Sequence, residues 1–339
     1  MMKQLIALAF LSTISVASSS TNYKPLYYDR MIHFSPDGRL LQVEYAATAA
    51  ENSSPLIVCQ LGCCDNTMVA MTCSRSPSNS ASSRHHQRPQ DRLVVLEDTA
   101  VVAMSGVLAD SLALLKQALN DWEDFKFVFG DQDRPSMMLT KIAESIGTAC
   151  HTNCFSGGIR PYGSTMLIMG IDIDGATGGE DKRNDATEAS QPFPFRIIQT
   201  DPSGGVKSIP LQSTDKQKSQ QFSSSSVDLL KITGGSHDLR LKLEKAIQKL
   251  EDDPSSTMWE RMRSLAAILV EAQEEMDNTA SFFGLKKRKR RNKKDSTGEN
   301  PTQARLNYKF EAVILSSKLG IHRLTEEQVD QLLKEVDSM

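Results

Sequence analysis

Tyr28-Asp29-Arg30-Met31-Ile32-His33-Phe34-Ser35-Pro36-Asp37-Gly38-Arg39-Leu40-Leu41-Gln42-Val43-Glu44-Tyr45-Ala46 is the most informative stretch of this chain. Ser35-Pro36-Asp37-Gly38 reads as a tight turn: Pro36 presets φ, Asp37 can bond back to the backbone, and Gly38 tolerates a left-handed φ. A helix over 39–51 follows, with Leu41, Tyr45 and Ala49 four residues apart on one face. Taken singly, these are features of many folds.

Three further blocks stand downstream. Ala100-Val101-Val102-Ala103-Met104 leads through Gly106 into Val107-Leu108-Ala109-Asp110, which reads as strand, glycine and long helix. Arg160-Pro161-Tyr162-Gly163 precedes the apolar run Met166–Gly170, and Thr200-Asp201-Pro202-Ser203-Gly204 reads as a hairpin turn. Together with the string at 28–46, these blocks resemble the α-type subunits of the proteasome core particle, in that family's order. The resemblance implies an α+β fold, a four-layer α-β-β-α sandwich of two stacked antiparallel sheets flanked by helices. It also implies a non-catalytic structural and gating role in ubiquitin-dependent and general intracellular protein degradation. The partners it implies are the other α subunits of a hetero-heptameric ring, the β-ring subunits and proteasome activators. Tyr28, Asp29, Pro36 and Tyr45 would form a gate-stabilising cluster, and Arg39, Leu41 and Gln42 the ring contacts. Counting back from Ser105-Gly106, the position that receives an activator's C-terminal carboxylate is Arg92, where the family has lysine; the charge is kept, and a planar fork replaces a point charge.

The element pattern points the same way. Strand pairs followed by helix pairs, twice over, argue for stacked sheets with helices outside. Strands are expected at 56–61, 67–71, 93–96, 100–104, 164–173, 195–200, 310–315 and 320–323. Leu108, Leu112, Leu115, Leu119 and Trp122 mark one face of a long helix, and further helices are expected at 140–153, 239–250, 258–276 and from Thr325. Gln328 is placed to complete a capping box with Thr325, and Val329, Leu332 and Val336 to face inward. The domain is expected to run over 28–285, with polar insertions at 74–91, 176–192 and 209–226, and to be completed by 306–339 after a basic linker at 286–305.

The chain has 339 residues with 39 basic against 42 acidic, a net charge of −3. Lys286–Lys294 alone holds eight of the bases, so the rest of the chain is acidic and argues against nucleic-acid binding. The tract itself reads as a nuclear-import-like or solvated segment. Six cysteines are too few for a disulfide framework at this length. Cys59/Cys63 and Cys150/Cys154 meet a loose metal spacing, but buried thiols are the simpler reading, and neither metal nor cofactor is expected.

Residues 1–17 follow the plan of a secretory leader: a basic start, an apolar run from Leu5 and small residues before Ala17, too short for a membrane span. Cleavage there would leave 18–27 as a tail, and Asn52-Ser53-Ser54 is a glycosylation sequon. A cytoplasmic and nuclear location fits the implied partners, a secretory-derived compartment fits the leader, and no stable membrane insertion is expected.

The β-type relatives of the implied family are N-terminal-nucleophile hydrolases, which need a Thr or Ser at a freed N-terminus opening a strand, supported by a lysine and a carboxylate. Here Ser53-Ser54-Pro55 follows a helix, and the carboxylate position falls near Cys73. A hydrolase outside the proteasome, processed near Ala17–Thr21, remains the alternative reading.

Overall fold

The computed structural model describes residues 33–60, 67–75, 91–97, 99–130, 135–156, 160–171, 195–209, 230–235, 237–251, 257–282, 308–316 and 320–337. Tyr28, Asp29, the leader, the tail, the basic linker, Cys63, Cys64 and most of the three expected insertions lie outside them. In chain order the elements are α1 (Leu41–Glu51), β1 (Leu56–Gln60), β2 (Thr67–Arg75), β3 (Leu93–Leu96), β4 (Ala100–Gly106), α2 (Leu108–Phe129) and α3 (Pro135–Phe155). There follow β5 (Ser164–Ile171), β6 (Phe195–Thr200), β7 (Val206–Ile209), β8 (Leu230–Thr233), α4 (His237–Glu251), α5 (Met258–Phe282), β9 (Tyr308–Ser316), β10 (Gly320–Arg323) and α6 (Glu326–Asp337).

The strands form two antiparallel sheets of five, ordered β10-β9-β2-β1-β8 and β3-β4-β5-β6-β7. Each strand sorts its side chains by the period of two. Leu56 and Val58 of β1, Met68 and Ala70 of β2, and Val313 and Leu315 of β9 point to the second sheet, where they meet Val101, Ala103, Leu167 and Met169. The alternate residues Ile57, Cys59, Val69, Met71 and Ala312 face α4, α5 and α6. On the other side Val102, Met104, Met166 and Ile168 pack on α2 and α3. Both sheets are therefore apolar on two faces, which is why β4 is buried along its whole length. A one-residue slip would exchange the contents of the layers.

The expected sandwich is what forms, with local differences. Strand β2 runs through Ser74 and Arg75, two residues into the stretch read as a loop. Strands β7 and β8 were not legible: they are four residues each, β7 is mostly exposed, and the alternation of Leu230 and Ile232 in β8 is too short to stand out. In α2 the buried stripe is Leu114, Leu115, Ala118 and Trp122, while Leu108, Leu112 and Leu119 are only half-buried, a rotation of the expected face. The Asp-Pro-Ser-Gly turn joins β6 to β7, with Asp201 Oδ1 accepting the Ser203 and Gly205 N–H groups, both at 2.9 Å. The Thr325 capping box closes as expected: Gln328 Oε1 accepts the Thr325 N–H at 3.0 Å and Thr325 Oγ1 accepts the Gln328 N–H at 3.3 Å.

Candidate interface formed by the first helix

The turn before α1 is closed from both ends. The Gly38 N–H donates to the Ser35 carbonyl and the Ser35 N–H to the Arg39 carbonyl, both at 2.8 Å, and the Arg39 N–H donates to Ser35 Oγ at 3.1 Å. Gly38 holds φ +77°, the conformation for which glycine is needed. Leu40 supplies no side-chain cap to α1, so this turn fixes the helix entry instead. Arg39 then reaches forward to Glu44, with Nε 2.8 Å from Oε1 and Nη2 on Oε2. That hydrogen bond holds the Glu44 carboxyl below its usual range.

Small residues let α1 settle onto the end of the sandwich. Ala46 and Ala50 are its buried positions. The Ala50 carbonyl accepts from Ser53 Oγ at 2.8 Å and Ser105 Oγ at 3.2 Å, and the two hydroxyls lie 2.7 Å apart. Beneath the helix, the Gly106 and Gly163 segments cross closely. Gly106 has φ +105°, a Cβ on it would stand 2.2 Å from the Gly163 carbonyl oxygen, and the Val107 N–H donates to that oxygen at 2.9 Å. Asp110, in the first turn of α2, ties the crossing down. Its carboxylate accepts Arg160 Nη1 at 2.6 Å, Arg160 Nη2 at 2.7 Å and the Gly163 N–H at 3.0 Å. Burial pushes the Asp110 carboxyl up, but the Arg160 fork and the Gly163 N–H outweigh it and hold the group below the ordinary carboxylate range. The two motifs, separate in the sequence, are thus one structure, the seat of α1. An acid in a helix's first turn and an arginine in an Arg-Pro-aromatic-Gly run were both visible, but nothing local paired them.

The face of α1 turned outward is the one that carries the four-residue spacing. Tyr45 is 49% exposed and Ala49 is exposed, whereas Leu41 and Gln42 are half-buried. Tyr45 is therefore not local core; the buried stripe is Ala46 and Ala50, one residue further along. Phe34, on the approach to the turn, is 61% exposed, and Pro36 and Arg39 are exposed beside it. The structure thus places Pro36, Arg39 and Tyr45 on an outward surface, with Leu41 and Gln42 at its margin.

Arg92 stands apart from that surface, at the entry to β3. It is not a solvated loop residue: the side chain is half-buried, with Nη1 on the carbonyls of Met104 at 3.4 Å and Gly106 at 3.3 Å. Burial pulls the guanidinium down from its ordinary value, and Glu311 partly offsets this. The Glu311 carboxylate, 2% exposed on β9, accepts the backbone N–H groups of Arg92 and Leu93 at 3.0 and 3.1 Å. Lys309 Nζ and Arg323 Nη2 lie 3.3 and 3.5 Å from it, and both cations also hold Asp91, Arg323 Nη1 at 2.7 Å. The sequence reading missed this cluster; an acid at position 311 between apolar strand residues was the available signal.

Cys59, Cys73, Cys150 and Cys154 are buried, and burial pushes the Cys150 thiol up to about 12. Among the described residues no three His, Cys, Asp or Glu side chains gather in a metal-binding group. Cys73, near which the hydrolase carboxylate position falls, faces the helices. The Ser53 carbonyl accepts the Gly235 N–H at 2.8 Å, and Ser54 continues the chain from α1 into β1. No described helix is long and apolar enough to cross a membrane.

Comparison with known proteins agrees with this architecture. Residues 28–49 match the N-terminal signature of the proteasome A-type subunits, and residues 59–177 match the proteasome subunit family. The chain is 30% identical over 183 residues to a proteasome alpha subunit of Methanocaldococcus jannaschii, covering 54% of this chain and 59% of that protein. It is 29% identical over 182 residues to the alpha type-7 proteasome subunit of Dictyostelium discoideum, covering 53% and 61%. A third relative, the alpha type-3 proteasome subunit of the same organism, is 33% identical over 140 residues, covering 41% and 52%. The chain thus spans about three fifths or less of the length of these curated relatives. By its signature and its domain match the chain is similar to the proteasome subunits, and the relatives it resembles are α-type subunits, in keeping with its fold.

Proposed function

We propose that this chain is a non-catalytic structural and gating subunit of a proteasome core-particle α-ring, acting in intracellular protein degradation, including its ubiquitin-dependent branch. Its partners are then neighbouring α subunits of a hetero-heptameric ring, β-ring subunits and activators, in the cytoplasm and nucleus. The observation that carries the reading is the turn and first helix. They sit on small residues and present Phe34 and Tyr45 to solvent, where a neighbouring subunit would cover them. Pro36, Arg39, Leu41 and Gln42 belong to the same contact, and on the resemblance alone Tyr28 and Asp29 are assigned with Pro36 and Tyr45 to the gate-stabilising cluster. A hydrolase role is disfavoured because the strand-opening serines follow a helix within the chain and the Ser53 hydroxyl is bonded to Ala50 and Ser105.

The test is the double substitution Leu41→Glu with Tyr45→Glu. Both positions lie toward the outer side of α1, so the isolated chain keeps its fold, while two unpaired charges in a closed interface are strongly rejected. Native sedimentation should move the variant out of a multi-subunit particle that contains the wild type. Wild-type protein recovered only as a monomer would defeat the reading, and so would covalent labelling of Ser53 or Ser54 by an epoxyketone probe.

Arg92 is proposed as the residue that receives an activator's C-terminal carboxylate. Among the described residues its guanidinium is held at Nη1 alone, by carbonyl oxygens, and a carboxylate is a better acceptor for the remaining N–H edge. Arg92→Ala should weaken binding of an activator-tail peptide to the assembled ring by about ten-fold or more, the cost of a charge-assisted pair, and Arg92→Lys should restore most of it. Unchanged binding in Arg92→Ala would remove Arg92 from that role.

A further inference from the structure

On the face of the molecule remote from the two-sheet interface, α4 and α5 leave a groove between them. Its floor is apolar: Leu239 and Leu243 from α4, Ile268 and Ala272 from α5. Its rim is charged and unbalanced. Lys242 is the cation lining it, and the Glu275 carboxylate holds that lysine at 2.9 and 3.0 Å. Glu271 lies on the same rim, and Asp238 and Glu271 both add to the field that keeps Lys242 charged.

The end of α5 makes the imbalance worse. Residues 271–277 carry Glu271, Glu274, Glu275 and Asp277, and no basic residue stands in the last turn. These acids give that stretch of the helix a net negative field that nearby cations relieve. The chain itself supplies them. Lys286–Lys294, with eight basic residues in nine, begins four residues after α5 ends at Phe282.

We propose that the groove between α4 and α5 is a docking surface for this chain's own basic tract, Lys286–Lys294. Charge complementarity is the first argument and reach is the second. Glu275 lies seven residues before the end of α5, about 10 Å along the axis. The twelve residues 283–294 can span up to about 40 Å, enough to double back past Glu271. The thirteen residues 295–307 then return to β9, whose Phe310 and Ala312 share a core with α4 and α5, so both ends of the segment are anchored on this half of the molecule. Docking hides the tract from nucleic acid, lipid and transport factors until a stronger anion or higher salt releases it.

The test is trypsin cleavage within 286–294 on the native full-length chain, followed by mass spectrometry. Wild type should be protected, and the triple variant Glu271→Gln, Glu274→Gln, Glu275→Gln should be cut about ten-fold faster, the effect of removing several surface charge contacts at once. Raising the salt to screen those contacts should accelerate wild type to the same rate. Carbodiimide cross-linking of mixed isotopically heavy and light protein identifies the occupant. Links from Lys286–Lys294 to Glu271 or Glu275 within one chain support the proposal. Links between heavy and light chains would overturn it in favour of a second copy, and equal cleavage of wild type and variant would overturn it outright.

Discussion

Gly106→Ala is expected to lower the unfolding free energy by roughly 4 kcal/mol, combining backbone strain with forced overpacking. At φ +105° an L side chain is strained whatever the room around it, and here there is none: the new Cβ would stand 2.2 Å from the Gly163 carbonyl oxygen and 3.0 Å from Ser164 Cα. Both obstacles are backbone, so no rotamer change relieves them. The crossing cannot open without cost, because Val107 N–H and the Asp110 carboxylate hold the Gly163 segment from two sides. The loss should appear as a fall in urea midpoint with an unchanged slope, and α1 should loosen first, since Ala46 and Ala50 sit over this seat. Gly38→Ala is the control. Gly38 also has positive φ, but its Cβ would meet nothing within 4 Å, so only the strain of about 1 kcal/mol is expected. Equal losses in the two variants would show that close packing at the crossing is not what Gly106 provides.

The contrast between these two glycines shows what could be read ahead of the fold. The Ser35–Gly38 turn and the Thr325 capping box are local chemistry, each complete within five residues, and both form as their sequences indicate. The long apolar strands were equally plain, since β4 and β5 are buried on both faces and carry the unbroken apolar runs Ala100–Met104 and Met166–Met169. What stayed hidden depends on distant pairing. Asp110 and Arg160 are fifty residues apart, Arg92 and Glu311 more than two hundred, and neither partner hints at the other. The buried stripe of α1 stayed hidden for a related reason. Ala46 and Ala50 are small residues that carry no spacing signal of their own, and only the seat of the helix on the end of the sandwich buries them while Tyr45 stays exposed.

Glu311→Ala should be as damaging as the glycine change, by another route. Its carboxylate is buried and serves as acceptor for the N–H groups of Arg92 and Leu93 at the entry to β3, as well as counter-charge to Lys309 and Arg323. Removing it leaves two buried donors without an acceptor and two cations sharing Asp91, a loss of about 3–5 kcal/mol by analogy with broken buried ion pairs. Glu311→Gln keeps an oxygen for the N–H groups and loses only the charge, so its cost should be smaller, about 1–3 kcal/mol. Because the same carboxylate fixes the Arg92 backbone, Glu311→Ala should also weaken activator-tail binding, while a variant that merely lowers stability should not. Acid provides an independent check on the ion pairs. The hydrogen bond from Arg323, helped by Lys309 against the opposing effect of burial, holds Asp91 below its ordinary value, and Asp110 is likewise depressed. A carboxyl whose folded value lies below its unfolded value, about 3.9 for Asp, stabilises the fold above that pH. The contribution is lost as pH falls through the folded value. Urea midpoints should therefore hold between pH 7 and about 5 and decline below about 4, the range in which these two groups protonate. Asp91→Asn combined with Asp110→Asn should start lower at neutral pH and decline less steeply. A double variant that kept the full acid slope would place the acid-sensitive groups elsewhere in the molecule.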